Sequence, residues 1–136
     1  MSIQTVFLTE TDAFRLQKML ESFEFSKHDQ ENHTILKNEI ARAAIVPSSE
    51  IPEDVVRMYS RVRIVDMRTG EQRVFQIVYP HEANYSLGKL SVLAPIGTAL
   101  LGYQVGTEIE WRVPSGVRKL RIEAVEHQQE VASMAA

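Results

Sequence analysis

The apolar pattern of the chain changes once, at a stretch that contains Pro47 and Pro52. Before this stretch, apolar residues recur at intervals of three and four, which is typical of one face of an α-helix. After it, apolar and polar residues alternate, which is typical of half-buried β-strands. The prolines favour a loop between the two parts. The sequence therefore predicts an α+β fold with two domains, residues 1–46 and residues 47–136.

Two helices are predicted in the first domain, within TETDAFRLQKMLESFEF and NHTILKNEIARAAIV. Their apolar stripes are Ala13, Leu16, Leu20 and Phe23 in the first helix and Leu36, Ile40 and Ala43 in the second. Thr9 or Thr11 can cap the first helix, because either side chain can accept a hydrogen bond from a free backbone amide. The polar break SKHDQEN is short, so we expect the helices to form an antiparallel, coiled-coil-like hairpin.

The second domain is predicted to be an antiparallel sheet of four or five strands with one short helix. The clearest strands are SRVRIVDM, RVFQIVYP, EIEWRV and KLRIEAVE, with turns at RTGEQ and PSG. KLSVLAP can add a strand that ends at Pro95. The segment PIGTALLG then predicts a helix, since proline suits a first helical turn and Gly102 can end it.

Composition excludes several classes of function. A net charge of −3 gives no general attraction to nucleic acids, and the chain has no cysteine for a disulfide, a thiolate metal site or a cysteine nucleophile. No signal peptide and no apolar run of membrane-spanning length is present in the sequence, so we expect a cytoplasmic protein without membrane contact.

No residue pattern points to catalysis, a cofactor or a small-molecule substrate. His28 and His33 flank Asp29 and Glu31, but this spacing fits no familiar zinc-ligand pattern. The glycines of GTALLGYQVG lack the lysine and hydroxyl residue of a phosphate-binding loop. We therefore predict no catalytic residue and no metal site.

The stretch LSVLAPIGTALLGYQVGTEIEW, followed by PSGVRKLRIEAVE, resembles the C-terminal module of the Gre transcript-cleavage factors. Over residues 47–127 the chain is more similar to short relatives of that family that regulate nucleoside diphosphate kinase, because the linker PEDVVRMYSRVRIVD and the VYP after the second strand also match. The resemblance implies an FKBP-like fold that docks on RNA polymerase. It also implies a helical hairpin directed into the polymerase secondary channel, with acidic residues at its tip.

The hairpin predicted here has about 15 to 18 residues in each helix, or about 22 to 27 Å at 1.5 Å per residue. This is shorter than a Gre-type hairpin, so we expect occupancy of the channel entrance, in competition with Gre factors, without transcript cleavage. The tip carboxylates are Glu24, Asp29 and Glu31. A solvated loop is their simplest interpretation, and contact with basic channel walls or a magnesium ion is the alternative.

The resemblance places the partner-binding residues in the segment around Pro95. Pro95, Ile96, Gly97 and Thr98 are predicted to form the docking surface, with Ile96 exposed, while Leu100, Leu101 and Gly102 hold its shape. Gre factors commonly carry basic residues where this chain has Thr98 and Tyr103, which puts an electrostatic contact there in doubt.

Two alternatives remain open. An FKBP-like fold also suits a peptidyl-prolyl isomerase or a generic protein-binding module, and aromatic residues for an apolar pocket are available at Phe75, Tyr79, Tyr85, Tyr103 and Trp111. The cluster Arg57, Arg61, Arg63, Arg68 and Arg73 suits a solvated sheet face, a polymerase contact or, less well, a nucleic-acid backbone.

Overall fold

The computed structural model of the chain describes residues 6–22, 27–113 and 116–127. The helices are α1 (Glu10–Ser22), α2 (Lys27–Arg42) and α3 (Pro95–Leu100). The strands are β1 (Phe7–Thr9), β2 (Ala44–Val46), β3 (Arg61–Asp66), β4 (Gln72–Val78), β5 (Lys89–Ser91), β6 (Glu108–Val113) and β7 (Gly116–Glu126). The α+β class is as predicted.

Five strands form one sheet in the order β5-β4-β3-β7-β6. The predicted hairpins of β3 with β4 and of β6 with β7 are confirmed, with Ile64 opposite Arg73 and Ile109 opposite Leu120. The predicted turn residues Pro114 and Ser115 lie outside the described residues.

The prediction of a fully antiparallel sheet is wrong at β5, which runs parallel to β4. Parallel neighbours need a crossover connection rather than a tight turn. Here residues 79–88 supply it, through two short 3₁₀ turns at Pro80–Glu82 and Tyr85–Leu87.

The second helix differs from its prediction at both ends. It begins at Lys27, inside the stretch predicted as the break, and it ends at Arg42. The following residues Ala44–Val46 form β2, which pairs in parallel with β1. Ile45 and Val46 are β-branched and favour extended backbone, and β1 offers them a free edge.

The start of α1 agrees with the sequence. The Asp12 N–H donates a hydrogen bond of 3.0 Å to Thr9 Oγ1, which identifies Thr9 rather than Thr11 as the cap. Ala13 and Leu16 are buried as predicted, and so are Leu36 and Ile40 of α2. Phe23 lies outside the described residues.

The helices and the sheet share one hydrophobic core. Leu16 and Leu36 from the helices belong to the same buried cluster as Val62, Ile77 and Leu120 from the sheet. The domain boundary after residue 46 stays a prediction. Across the described ranges, no helix is both long enough and apolar enough to cross a membrane.

Candidate functional site

The segment Pro95–Leu100 forms the predicted short helix. Pro95 occupies its first turn, and the Thr98 N–H donates to the Ala94 carbonyl at 2.9 Å. The helix ends before Gly102, whose φ of 86° is a left-handed conformation that glycine adopts without strain. Both end signals read from the sequence are therefore confirmed.

The expectation that Ile96 is exposed is wrong. Ile96 is only 7% exposed and belongs to the core cluster, because α3 packs against the sheet and directs this side chain inward. Leu100 and Leu101 are also buried in the core, as predicted. Pro95 is the exposed residue at the start of the helix.

Gly97 and Thr98 hold α3 against the end of β5, where they contact Ser91 and Val92. A Cβ atom on Gly97 would lie 2.3 Å from the Ser91 carbonyl oxygen, so only glycine allows this approach. Thr98 is buried, and its Oγ1 donates a hydrogen bond of 2.6 Å to the Val92 carbonyl. The side chain of Thr98 thus makes an internal contact. A basic residue at this position would have to reach solvent.

Gly102 connects three parts of the chain. Its N–H donates to the Val56 carbonyl at 2.9 Å, and its carbonyl accepts the Phe7 N–H at 3.0 Å. A Cβ atom here would lie 2.3 Å from Val6 Cγ1. The backbone geometry at Gly102 therefore serves the fold, because it joins β1 to the linker before β3.

An apolar groove of about 480 Å³ lies beside the start of α3. Its floor is formed by Ile64, Phe75 and Leu120 from three neighbouring strands, and Pro95 and Ile96 line the helix side. Tyr85, which is 69% exposed, packs its ring 6.4 Å from the ring of Phe75. A concave apolar surface of this volume is typical of a binding site.

A buried carboxylate lies in the same groove. The Asp66 side chain is 7% exposed, and its Oδ1 accepts hydrogen bonds from the backbone N–H groups of Arg68 at 2.9 Å and Thr69 at 3.3 Å. Its Oδ2 lies 3.8 Å from Nη1 of Arg118, which is 46% exposed. Both residues line the groove.

Asp66 and Arg118 were not predicted as site residues, although the sequence contains a signal for them. Asp66 continues the inward-facing series Val62, Ile64, and Arg118 precedes the inward-facing Leu120 by two residues. A charged residue on the apolar face of a strand is unusual, and two such residues on paired strands indicate a polar site.

A second recess of about 440 Å³ lies on the other side of α3, between Ala99 and α2. There the Arg42 Nη2 donates to the Tyr103 hydroxyl at 2.8 Å, and that hydroxyl lies 3.4 Å from Glu39 Oε2. Burial, and then the Glu39 carboxylate, raise the pKa of the Tyr103 phenol above its ordinary value. Tyr103 therefore connects the sheet domain with α2.

The predicted tip residues are only partly described. Glu24 lies outside the described residues, and the side chains of Asp29 and Glu31, in α2, are also outside them. His33 is half-buried, and its Nε2 donates to the Leu20 carbonyl at 3.3 Å. Within the described residues, no group of three or more histidine or acidic side chains is placed to hold a metal ion.

The basic residues of β3 point away from the core. Arg61 and Arg63 are exposed and alternate with the buried Val62 and Ile64, as the pattern predicted. Arg73 in β4 is paired with a residue of the turn before that strand, since its Nη2 lies 3.1 Å from Glu71 Oε1.

Comparison with known proteins relates most of the chain to one protein family. Residues 51–127 match the family described as Transcription elongation factor, GreA/GreB, C-term. The chain is 38% identical over 133 residues to the regulator of nucleoside diphosphate kinase of Escherichia coli (strain K12), covering 97% of this chain and 96% of that protein. It is 34% identical over 103 residues to transcription elongation factor GreA of Sinorhizobium medicae (strain WSM419), covering 76% and 65% of the two chains.

A solved structure shows the same fold. The prokaryotic transcription elongation factor GreA/GreB from Nitrosomonas europaea superposes with a TM-score of 0.78 at 38% identity, covering 92% of this chain and 100% of that one. These relatives are named as regulators or elongation factors. The matched region, residues 51–127, includes α3 and the groove beside it.

Proposed function

Because the chain belongs to the GreA/GreB family of transcription elongation factors, we propose that it is a non-catalytic transcription regulator that binds RNA polymerase. It docks at the entrance of the secondary channel and competes there with Gre-type factors. The observation that carries this proposal is the family match over residues 51–127, which contain both α3 and the groove. The protein acts in the cytoplasm, where its partner is.

The proposed architecture is a hairpin of α1 and α2 on an FKBP-like sheet domain. In support, the two helices are separated only by residues 23–26, and His33 of α2 is hydrogen-bonded to Leu20 near the end of α1. Such a contact between the end of one helix and the early part of the next is expected when the second helix returns along the first.

The helix lengths support the proposal that the protein occupies the channel entrance without cleaving RNA. The two helices have 13 and 16 residues, or about 20 and 24 Å at 1.5 Å per residue. A hairpin of that length is too short to bring Glu24, Asp29 or Glu31 from the channel entrance to the catalytic magnesium. We therefore propose contact of these carboxylates with solvent or with the channel wall.

The docking surface is proposed to be the segment Pro95–Thr98 together with the groove that it borders. Pro95 is exposed and rigid, so it can enter an interface at a low cost in conformational entropy. Ile96 contributes the part of its side chain that lines the groove. Leu100, Leu101 and Gly102 keep the segment in place from the core side.

The test is a binding assay of the purified full-length chain with core RNA polymerase, with a Gre factor as competitor. We expect binding, mutual exclusion with the Gre factor, and no cleavage of nascent RNA in stalled elongation complexes. An absence of binding, or cleavage of the transcript, would contradict the proposal. A matched Gre factor in the same cleavage assay provides the positive control.

The groove also favours one alternative, because Phe75 and Tyr85 give it an aromatic wall. Prolyl isomerases use aromatic, apolar pockets of this kind to desolvate the peptide bond before proline. A protease-coupled assay with a proline-containing peptide distinguishes the two functions. Clear acceleration that is lost in Tyr85→Ala would favour isomerisation over the proposed docking role.

A further inference from the structure

The polar groups of the groove beside α3 have unused hydrogen-bonding capacity. Asp66 Oδ1 is occupied by the backbone N–H groups of Arg68 and Thr69. Its Oδ2 lies 3.8 Å from Nη1 of the Arg118 guanidinium. That distance exceeds the 2.7 to 3.2 Å of an N–H···O hydrogen bond, so Oδ2 keeps lone pairs that can accept a hydrogen bond from a group in the groove.

Arg118 complements this acceptor. Its guanidinium has five N–H donors in a planar arrangement, and its side chain is 46% exposed at the edge of the groove. The separation of 3.8 Å leaves room for donors of Arg118 to bind a second group. Asp66 and Arg118 thus place an acceptor and a donor side by side, next to the apolar floor formed by Ile64, Phe75 and Leu120.

The charges of this pair restrict what can bind. A carboxylate near Arg118 would be repelled by Asp66, and an ammonium group near Asp66 would be repelled by Arg118. A neutral group with one donor and one acceptor satisfies both residues. The peptide unit is such a group, since its N–H can donate to Asp66 Oδ2 while its carbonyl accepts from Arg118.

We propose that the groove binds a surface loop of the polymerase by one apolar side chain and the backbone amide beside it. The side chain contacts Ile64, Phe75 and Leu120, and Tyr85 covers it from the solvent side. The amide is bound by Asp66 and Arg118. This inference rests on the proposed function for the identity of the partner, whereas the chemistry of recognition follows from the groove itself.

Recognition of an apolar side chain and the amide beside it is tested without the polymerase. The probe is N-acetyl-phenylalanine N-methylamide, titrated into the ¹⁵N-labelled full chain and followed by amide chemical shifts. We expect saturable shifts at residues around the groove, such as Ile64, Phe75 and Arg118. N-acetyl-glycine N-methylamide, which lacks the apolar side chain, should cause none. Equal shifts with both compounds, or none with either, would overturn the proposal.

The role of the polar pair is tested with Arg118→Met, which keeps much of the side-chain length but removes the donors. Hydrogen bonds to charged groups are strong enough that we expect about tenfold weaker binding of the probe. The matched control is Arg121→Met on the same strand, because Arg121 pairs with Glu123 and does not line the groove. Tyr85→Ala removes the ring that covers the groove, at a position that is 69% exposed.

Polymerase binding by the same variants separates this inference from the proposed function. If Arg118→Met and Tyr85→Ala weaken polymerase binding and Arg121→Met does not, the groove is the anchor of the docking surface. If the polymerase binds all variants equally, the groove inference is wrong while the proposed function stands. If the probe binds but the polymerase does not, the proposed function and the named partner fail, and the recognition chemistry stands.

Discussion

Gly97 packs so closely on Ser91 that a Cβ atom would lie 2.3 Å from the Ser91 carbonyl oxygen. Alanine at an interior helix position normally stabilises a helix by about 1 kcal/mol relative to glycine. Here the contact with backbone reverses the sign, and we expect Gly97→Ala to lower the free energy of unfolding by about 1 to 3 kcal/mol. Urea denaturation measures the change. Ala99→Gly is the control that measures helix propensity in the same helix. If Gly97→Ala stabilised the protein, that result would contradict the close contact with Ser91.

The burial of Ile96 determines what its substitution will do. A carboxylate at this position would be buried without a partner, so we expect Ile96→Asp to destabilise the protein by about 3 kcal/mol or more. Ile96→Val should cost about 1 kcal/mol. Thermal unfolding followed by circular dichroism measures both. If Ile96→Asp kept the melting temperature of the unchanged protein, the side chain would be exposed, as the sequence pattern had predicted.

The cap of α1 gives a matched pair of substitutions. Thr9→Val removes the oxygen that accepts the Asp12 N–H while keeping the shape of the side chain. We expect it to cost about 1 kcal/mol of unfolding free energy. Thr11→Val, in the exposed first turn, should change stability much less. Equal effects of the two substitutions in urea unfolding would argue against the Thr9 cap.

Asp12 makes stability depend on pH. Burial raises the pKa of its carboxyl above 3.8, although the Met58 N–H, Arg57 and Arg15 act in the opposite direction. A carboxyl that binds its proton more tightly in the folded state loses stability as pH rises from the unfolded pKa through the folded one. We therefore expect Asp12→Asn to remove that loss and to be relatively more stable at neutral pH than in acid.

The measurement for Asp12 is the free energy of unfolding in urea between pH 3.5 and pH 7. Glu10→Gln is the control, because it removes a carboxylate from the same helical turn at an exposed position. A larger pH effect of Glu10→Gln than of Asp12→Asn would contradict the assignment.

Tyr103 should ionise above the ordinary pH range of a tyrosine, since burial and Glu39 both raise its pKa above 10.0. The absorbance at 295 nm of the unchanged protein minus that of Tyr103→Phe isolates this phenol in an alkaline titration. We expect its ionisation above pH 10, and a lower pKa in Glu39→Gln. An unchanged pKa in Glu39→Gln would show that Glu39 does not act on Tyr103.

Local signals predicted much of the fold. The proline start and glycine end of α3 and the apolar stripes of α1 and α2 depend on neighbouring residues, so periodicity and end signals located them. The short strands β1 and β2 were missed, because three residues carry too little periodicity and their pairing joins distant parts of the chain. The direction of β5 was missed for a similar reason, as it depends on the path of residues 79–88.

The candidate site was predicted less completely than the fold. The short helix that starts at Pro95 was located correctly, but the sequence could not tell which of its side chains pack inward, and Ile96 is buried rather than exposed. Asp66 and Arg118 are far apart in the chain and meet only because β3 and β7 are neighbours. Such a convergence depends on strand order, which alternation within each strand does not determine.

The parallel pairing of β1 with β2 sets Phe7 opposite Ala44 and Thr9 opposite Val46, so the start of α1 and the end of α2 lie close together. The polypeptide between the two strands therefore begins and ends at the same place, and Leu16 and Leu36 within it are buried in the core that the helices share with the sheet. Whole turns added at the end of α1 and at the start of α2 would lengthen this segment without moving any strand of the five-stranded sheet. The length of the helical segment can therefore vary independently of the sheet.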